Sequence, residues 1–347
     1  MSCKEGTMKA VVYNSIEGLT VRDVSLPQLG PNEVLIQVVN TGFCGSDHSI
    51  IESGTLKDGT IIGHEVSGTV ADVGRDVRDV ETGSRVIIRP TYCGECRECR
   101  MGKPYLCQTD RRTIGLGDLQ GGFAEYLKVD PRMLIPIPEG VDSQNGALAE
   151  PFAAALHGIY CSGREGGSAL VIGGGSIGLS LVSLLKVMGF GPIALSEPVD
   201  EKRRLAVTLG ADIVMDPASE NPVLRTMDET DGAGFETVFE CSGRGESIQT
   251  ALNAAANGGT ICVVSIIMQN VEIMPLVLNF KEVWLTGSYS NTHEENSRCL
   301  RWMAEGKIDG RPLITDHINL DSLPRVYRER IHTGRAIKVM LRIGEEF

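Results

Sequence analysis

The rhythm of apolar and polar positions changes once along the chain, near Gln144. Before it, short apolar or alternating runs, at Lys9–Tyr13, Leu19–Val24, Glu33–Asn40, Val66–Val73, Arg85–Arg89 and Phe123–Val129, are separated by Gly, Pro, Asp and Asn. Runs punctuated in this way predict the strands of a small barrel or sandwich. An excursion with little apolar content, Arg89–Thr113, interrupts them. After Gln144, the segment NGALAEPFAAALHGIY is apolar at helical spacing and predicts a helix that crosses from one domain to the next. Beyond Ser168, candidate strands at Ala169–Ile172, Ile193–Ser196, Ile213–Met215, Thr237–Cys241, Thr260–Ser265 and Trp284–Ser288 alternate with helices, clearest at Leu179–Met188, Asp200–Leu209 and Ser247–Asn257. Continuous apolar runs suit strands buried on both faces, and their alternation with helices predicts a doubly wound parallel sheet. HEENSRCLRWMAEG reads as a further helix, and a last strand, Ala336–Arg342, is expected to return to the first domain. The fold class is α/β: a β-rich domain over residues 1–155 and 291–347, with a lobe at about 89–113, and a parallel-sheet domain over residues 156–290.

At 347 residues the chain is too long for one small core and suits two domains. Its net charge of -12 repels phosphate backbones and anionic bilayers, which argues against nucleic-acid and membrane partners. No apolar run approaches a bilayer span, and the N-terminus MSCKEGTMKA lacks the apolar core of a signal peptide. A cytoplasmic location follows as an expectation, and with it reduced thiols for the ten cysteines. Cys3, Cys161, Cys241, Cys262 and Cys299 read as ordinary small residues.

Four other cysteines carry chemistry. Cys93, Cys96, Cys99 and Cys107 lie in RPTYCGECRECRMGKPYLCQ, the first three at every third position. Thiolates so spaced can close around one structural zinc ion, which would order a lobe that has no core of its own. Two disulfides are the alternative, and the intracellular character of the chain favours zinc.

The strand Ala169–Ile172 runs into Gly173-Gly174-Gly175-Ser176-Ile177-Gly178 and then into an apolar helix. This is the G-x-G-x-x-G pattern in its strand–turn–helix setting. Gly173 makes the tight turn, Gly175 lets the backbone approach a pyrophosphate, and Gly178 lets helix and strand pack closely. Ser176 and Ile177 open the helix whose free N–H groups would face the anion. Glu197 ends the next strand about twenty residues further on, where a carboxylate accepts both adenosine ribose hydroxyls and repels a 2′-phosphate, so NAD is favoured over NADP. Lys202, Arg203 and Arg204 stand close by and would soften that discrimination.

Cys44-Gly45-Ser46-Asp47, Gly63-His64-Glu65, the four-cysteine lobe and the Gly173–Gly178 turn occur in an order that resembles the zinc-dependent medium-chain alcohol dehydrogenases over nearly the whole length. The resemblance implies a GroES-like β-domain carrying two zinc ions, a Rossmann NAD domain, and an active site in the cleft between them. It implies Cys44 and His64 as ligands of a catalytic zinc. Glu150-Pro151 stands where ethanol-type enzymes carry a cysteine, as in the polyol (sorbitol-like) branch. There either Glu65 or Glu150 is the carboxylate ligand. Asp47 resembles the carboxylate that orients the ligating imidazole, and Ser46 the hydroxyl that passes the substrate proton outward. His48 departs from the pattern: it follows the cysteine by four residues, where many relatives place a relay histidine after five. Proton relay, substrate contact and pocket lining are all open to it. Ser265 is expected near the nicotinamide.

The implied activity is reversible NAD-linked oxidation of a secondary alcohol on a small polar substrate (a polyol, cyclitol or amino alcohol) to the ketone, by hydride transfer from an alkoxide held at zinc. An L-threonine 3-dehydrogenase-like activity is the alternative. A catalytically silent zinc and nucleotide-binding protein is the contrasting class. Family members are usually dimers or tetramers, so a homo-oligomer is expected.

Overall fold

The computed structural model describes residues 6–116 and 119–345, and Cys3 lies outside them. The chain divides into two compact units, Met1–Glu150 with Leu300–Phe347, and Pro151–Cys299. The first opens with an antiparallel hairpin of β1 (Thr7–Asn14) and β2 (Gly18–Ser25). Asn14 closes the turn by accepting the N–H groups of Ile16 and Glu17 on its side chain. Next come β3 (Val34–Phe43), β4 (Glu65–Val73), β5 (Arg85–Ile88), β6 (Tyr126–Val129) and β7 (Leu134–Pro136). The run at Phe123–Val129 becomes a strand only from Tyr126. Its first residues serve the hairpin instead, where the Phe123 carbonyl accepts the Val11 N–H.

β3 is the spine of this unit. It pairs antiparallel with β4 and β6, while β4 continues to β5 and β5 to β7. Apolar side chains cover it at both ends: Val34, Ile36 and Val38 lie in one cluster and Phe43 in another. This is why the run reads as nearly continuous rather than alternating.

In the second unit β8 (Ala169–Ile172), β9 (Ile193–Ser196), β10 (Ile213–Met215), β11 (Phe235–Glu240), β12 (Ala255–Val263) and β13 (Trp284–Gly287) form one parallel sheet in the order β10-β9-β8-β11-β12-β13. The strand order reverses between β8 and β11, which end level with Ile172 opposite Glu240. In a doubly wound sheet that is where ligands sit, beyond the carboxyl ends of the strands. Helices Ser176–Val187, Asp200–Leu209 and Glu246–Ala254 lie between strands as the pattern predicts. Two more, Pro222–Glu229 and Pro275–Lys281, start at prolines the periodicity does not single out.

The chain then re-enters the first unit. β14 (Ile314–Ile318) pairs parallel with β15 (Lys338–Arg342), and β15 lies antiparallel on β3 with Val339 opposite Phe43. Among the described residues no helix is long and apolar enough to cross a membrane.

Candidate metal centres and dinucleotide turn

The β3–β4 ladder builds the first centre. It places Gly42 opposite Glu65, so Cys44, just past the end of β3, and His64, just before β4, meet at one end of the pair. One ligand atom from each of Cys44, His64 and Glu65 lies within 4.8 Å of the others. Gly42 is required here because a Cβ would overlap the Glu65 carboxylate.

Asp47 ties the ligands together. It is fully buried; one oxygen lies 3.1 Å from His64 Nδ1, and the other accepts the Cys44 N–H at 2.9 Å. The Nδ1 contact leaves Nε2 free to ligate. Against the cost of burial, the Asp47 charge and the Cys44 sulfur hold His64 well above its usual pKa. Ser46 Oγ lies 3.7 Å from Cys44 Sγ.

The two candidate carboxylates have different surroundings. Both oxygens of Glu65 accept from Lys338 Nζ, at 2.6 and 2.7 Å, and both side chains are fully buried. Lys338 Nζ also donates to the Phe43 carbonyl at 3.2 Å. Glu150 pairs with the buried Arg89 guanidinium at 3.1 Å and stands outside the group of three. Neither cation was foreseen. For Lys338 a signal existed: a lysine inside the apolar run of β15 must be buried with a partner.

The donor set of thiolate, imidazole and carboxylate suits zinc with a position left for a further ligand. His48 turns away from it: Nδ1 lies 3.1 Å from Tyr327 Oη, which donates to Glu52 at 2.9 Å.

The second centre is the cysteine lobe. Cys93 and Cys99 sulfurs are 3.8 Å apart, Cys96 and Cys107 3.8 Å, and Cys107 and Cys93 3.5 Å. A tetrahedral zinc with bonds of about 2.3 Å sets its sulfurs about 3.8 Å apart, so the four are placed for one ion. All four are free thiols, which rules out the disulfide alternative in this structure. Burial opposes ionisation of Cys107, yet backbone N–H groups of Cys93, Asp110 and Thr109 bring its pKa down to about 6. Burial and the neighbouring thiols push Cys99 up to about 12. Four thiolates without a cation repel one another, and a zinc ion removes that conflict.

In the second unit each glycine of the turn has a visible duty. Gly173 adopts φ 102°, where a side chain would be strained. A Cβ on Gly178 would run into the Gly173 carbonyl, whereas one on Gly175 would meet only open space. That opening lies at the N-terminus of the helix Ser176–Val187, with Ser176 and Ile177 in its first turn, and fits a pyrophosphate. Glu197 is buried beside it and accepts the N–H groups of Gly174 at 2.7 Å and Val199 at 2.9 Å. Lys202 lies in the first turn of the helix Asp200–Leu209. Arg203 is engaged by Asp200 and Asp216, and Arg204 by Asp200. Ser265 donates its hydroxyl to the buried Glu240, which also accepts from Ser242.

A fold with two such centres and a dinucleotide turn defines a zinc-dependent nicotinamide oxidoreductase. The comparisons agree. Residues 30–139 match the alcohol dehydrogenase GroES-like domain, and residues 176–305 the zinc-binding dehydrogenase domain. L-threonine 3-dehydrogenase of Bacillus velezensis is 33% identical over 97% of this chain and 99% of its own length. A zinc-binding dehydrogenase from Sinorhizobium meliloti 1021, solved with NADP, is 33% identical with a TM-score of 0.90, over 97% of this chain and all of that one. The 2R,3R-butanediol dehydrogenase of Bacillus subtilis is 28% identical with a TM-score of 0.86, over 96% and 99%. The chain belongs to the zinc-dependent medium-chain alcohol dehydrogenase family, and its cofactors are zinc and a nicotinamide dinucleotide.

Proposed function

We propose that the protein oxidises a secondary hydroxyl on a small polar substrate, a polyol, cyclitol or amino alcohol, with NAD as hydride acceptor, and reduces the ketone in reverse. The observation that carries this is the convergence of Cys44, His64 and Glu65 donors on one point. Zinc bound there supplies Lewis acidity, which stabilises negative charge on the substrate oxygen. The remaining work falls to the chain. Asp47 fixes the His64 tautomer and anchors the Cys44 backbone. Lys338 and Arg89 hold Glu65 and Glu150 in place, and either carboxylate could complete the ligand set. Ser46 is the hydroxyl nearest the thiolate ligand and takes the substrate proton outward. Cys93, Cys96, Cys99 and Cys107 would hold the lobe zinc, which would order that segment.

The Gly173–Gly178 turn seats the pyrophosphate, and Glu197 accepts the ribose hydroxyls. Its charge, with Arg203 and Arg204 already occupied by aspartates, favours NAD. Lys202, in the first turn of the helix Asp200–Leu209, would contact the ribose. Ser265 shapes the sheet end through Glu240.

L-Threonine is the second reading within the amino alcohols, supported by the Bacillus velezensis relative. A screen of polyols, vicinal diols and L-threonine with NAD and NADP, read as reduced-nicotinamide absorbance, separates the substrates. No turnover with any of them by zinc-loaded protein would leave the silent class standing.

We also infer a homo-oligomer. β13 ends its sheet and is exposed, with Trp284 71% and nearby Phe280 78% accessible, and a second copy would cover that edge. A monomer by light scattering would refute it.

A further inference from the structure

Besides the two cysteine-containing centres, the first unit gathers a third set of ligating atoms. One atom from each of His48, Glu52 and His332 lies within 4.8 Å of the others. His48 and Glu52 are four residues apart on the helix Gly45–Glu52, so both side chains leave the same face one turn apart. His332 follows the turn Tyr327–Ile331 near the other end of the chain. Glu52 Oε1 stands 3.6 Å from His332 Nδ1. The two imidazole rings meet edge to face with centroids 5.6 Å apart. Tyr327 Oη sits among them, 3.1 Å from His48 Nδ1 and 2.9 Å from Glu52 Oε1.

Tetrahedral coordination with bonds of about 2.1 Å places N and O donors about 3.4 Å apart, so Glu52 and His332 already have ligand spacing. Two imidazoles and one carboxylate prefer zinc, nickel or cobalt to calcium or magnesium. The His332 and Glu52 side chains are 56% and 50% exposed, so an ion can enter from solvent.

We propose that His48, Glu52 and His332 form a third divalent transition-metal site, distinct from the catalytic and lobe centres, with water or the Tyr327 hydroxyl completing the shell. With no thiolate and an open face, it holds metal less tightly than the cysteine-containing centres. An ion there ties the helix that follows Cys44 to the C-terminal segment.

The test uses zinc-loaded full-length protein, desalted and titrated with Co²⁺, followed by calorimetry and absorption. Wild type is expected to take one further equivalent, with visible ligand-field bands and without the near-ultraviolet band of a cobalt–thiolate bond. H332A and E52Q should each lose that equivalent while retaining the tightly bound zinc and the wild-type circular dichroism. Cobalt should raise the melting temperature of wild type and of neither variant. Using two variants on different elements means that failure of one to fold leaves the other decisive. No further equivalent in wild type, equal uptake by wild type and variants, or uptake only with a thiolate band would each overturn the proposal.

Discussion

Lys338→Met isolates the buried ion pair behind the catalytic ligands. Lys338 Nζ lies 2.6 and 2.7 Å from the two Glu65 oxygens, with neither side chain exposed. At 2.6 Å and an effective dielectric of about 20, the attraction is about 6 kcal/mol, most of it spent on removing both charges from water. The net value of such a pair is small, but deleting one partner strands the other. An unpaired buried charge costs about 3–5 kcal/mol. For a unit of this size about 2–4 °C of melting temperature goes with each kcal/mol, so the variant should melt about 6–20 °C lower. Zinc beside Glu65 offsets part of the loss, which places zinc-loaded protein toward the smaller value. The companion E65Q/K338M removes the stranded charge and should regain much of the difference. Thermal unfolding by circular dichroism, with zinc content measured on each sample, reads both effects. K338M melting within about 2 °C of wild type would refute the claim that this pair anchors Glu65.

Glu197→Ala should weaken NAD by about 10- to 100-fold in KM, the worth of about 1.5–3 kcal/mol for charge-assisted hydrogen bonds, and raise the relative use of NADP; an unchanged NAD to NADP ratio would contradict its role. Cys96→Ser should lose one zinc per chain and open the segment 89–113 to proteolysis, seen by metal analysis and peptide mapping, and a lobe still resistant would show that metal does not order it. His157, buried with Glu295 at 2.7 Å, is raised by Cys161 and Glu295 to a pKa of about 9 despite its burial. A raised imidazole stabilises the fold fully below about pH 6.5, and the contribution, about 3 kcal/mol at most, fades as pH rises through about 9. Melting temperature should therefore fall more steeply between those values in wild type than in H157Q, and parallel profiles would exclude the pair as the cause.

The sequence makes the second unit nearly transparent because its signals are local. Most of its strands are short apolar runs, though β12 starts at Ala255, inside the segment whose pattern predicts helix, because Asn257, Gly258 and Gly259 hide its first half; the duties of Gly173, Gly175 and Gly178 are fixed within six residues. The lobe is local in the same way. Legibility fails where partners meet across the chain. Nothing near Glu65 says that its carboxylate belongs to Lys338, because only the β3–β4 and β3–β15 ladders create that encounter; nor does anything near Glu150, in the helix Ser143–Cys161, say that Arg89, just past β5, holds it. Asp47 was legible as an orienting carboxylate, but its grip on the Cys44 N–H depends on how the helix Gly45–Glu52 starts. Nothing in the sequence around Ser265 says that its hydroxyl is donated to Glu240. His48 is the sharpest case. Shifted by one position, its imidazole faces Tyr327 and His332, a setting visible only once the C-terminal turn has folded back.

Zinc content of exhaustively desalted wild type and Cys44→Ala, measured beside NAD binding by fluorescence, probes the catalytic centre most directly. Two tightly held ions in wild type, one in the variant, and unchanged NAD affinity are expected. Two ions retained by C44A would show that this sulfur does not hold the catalytic metal.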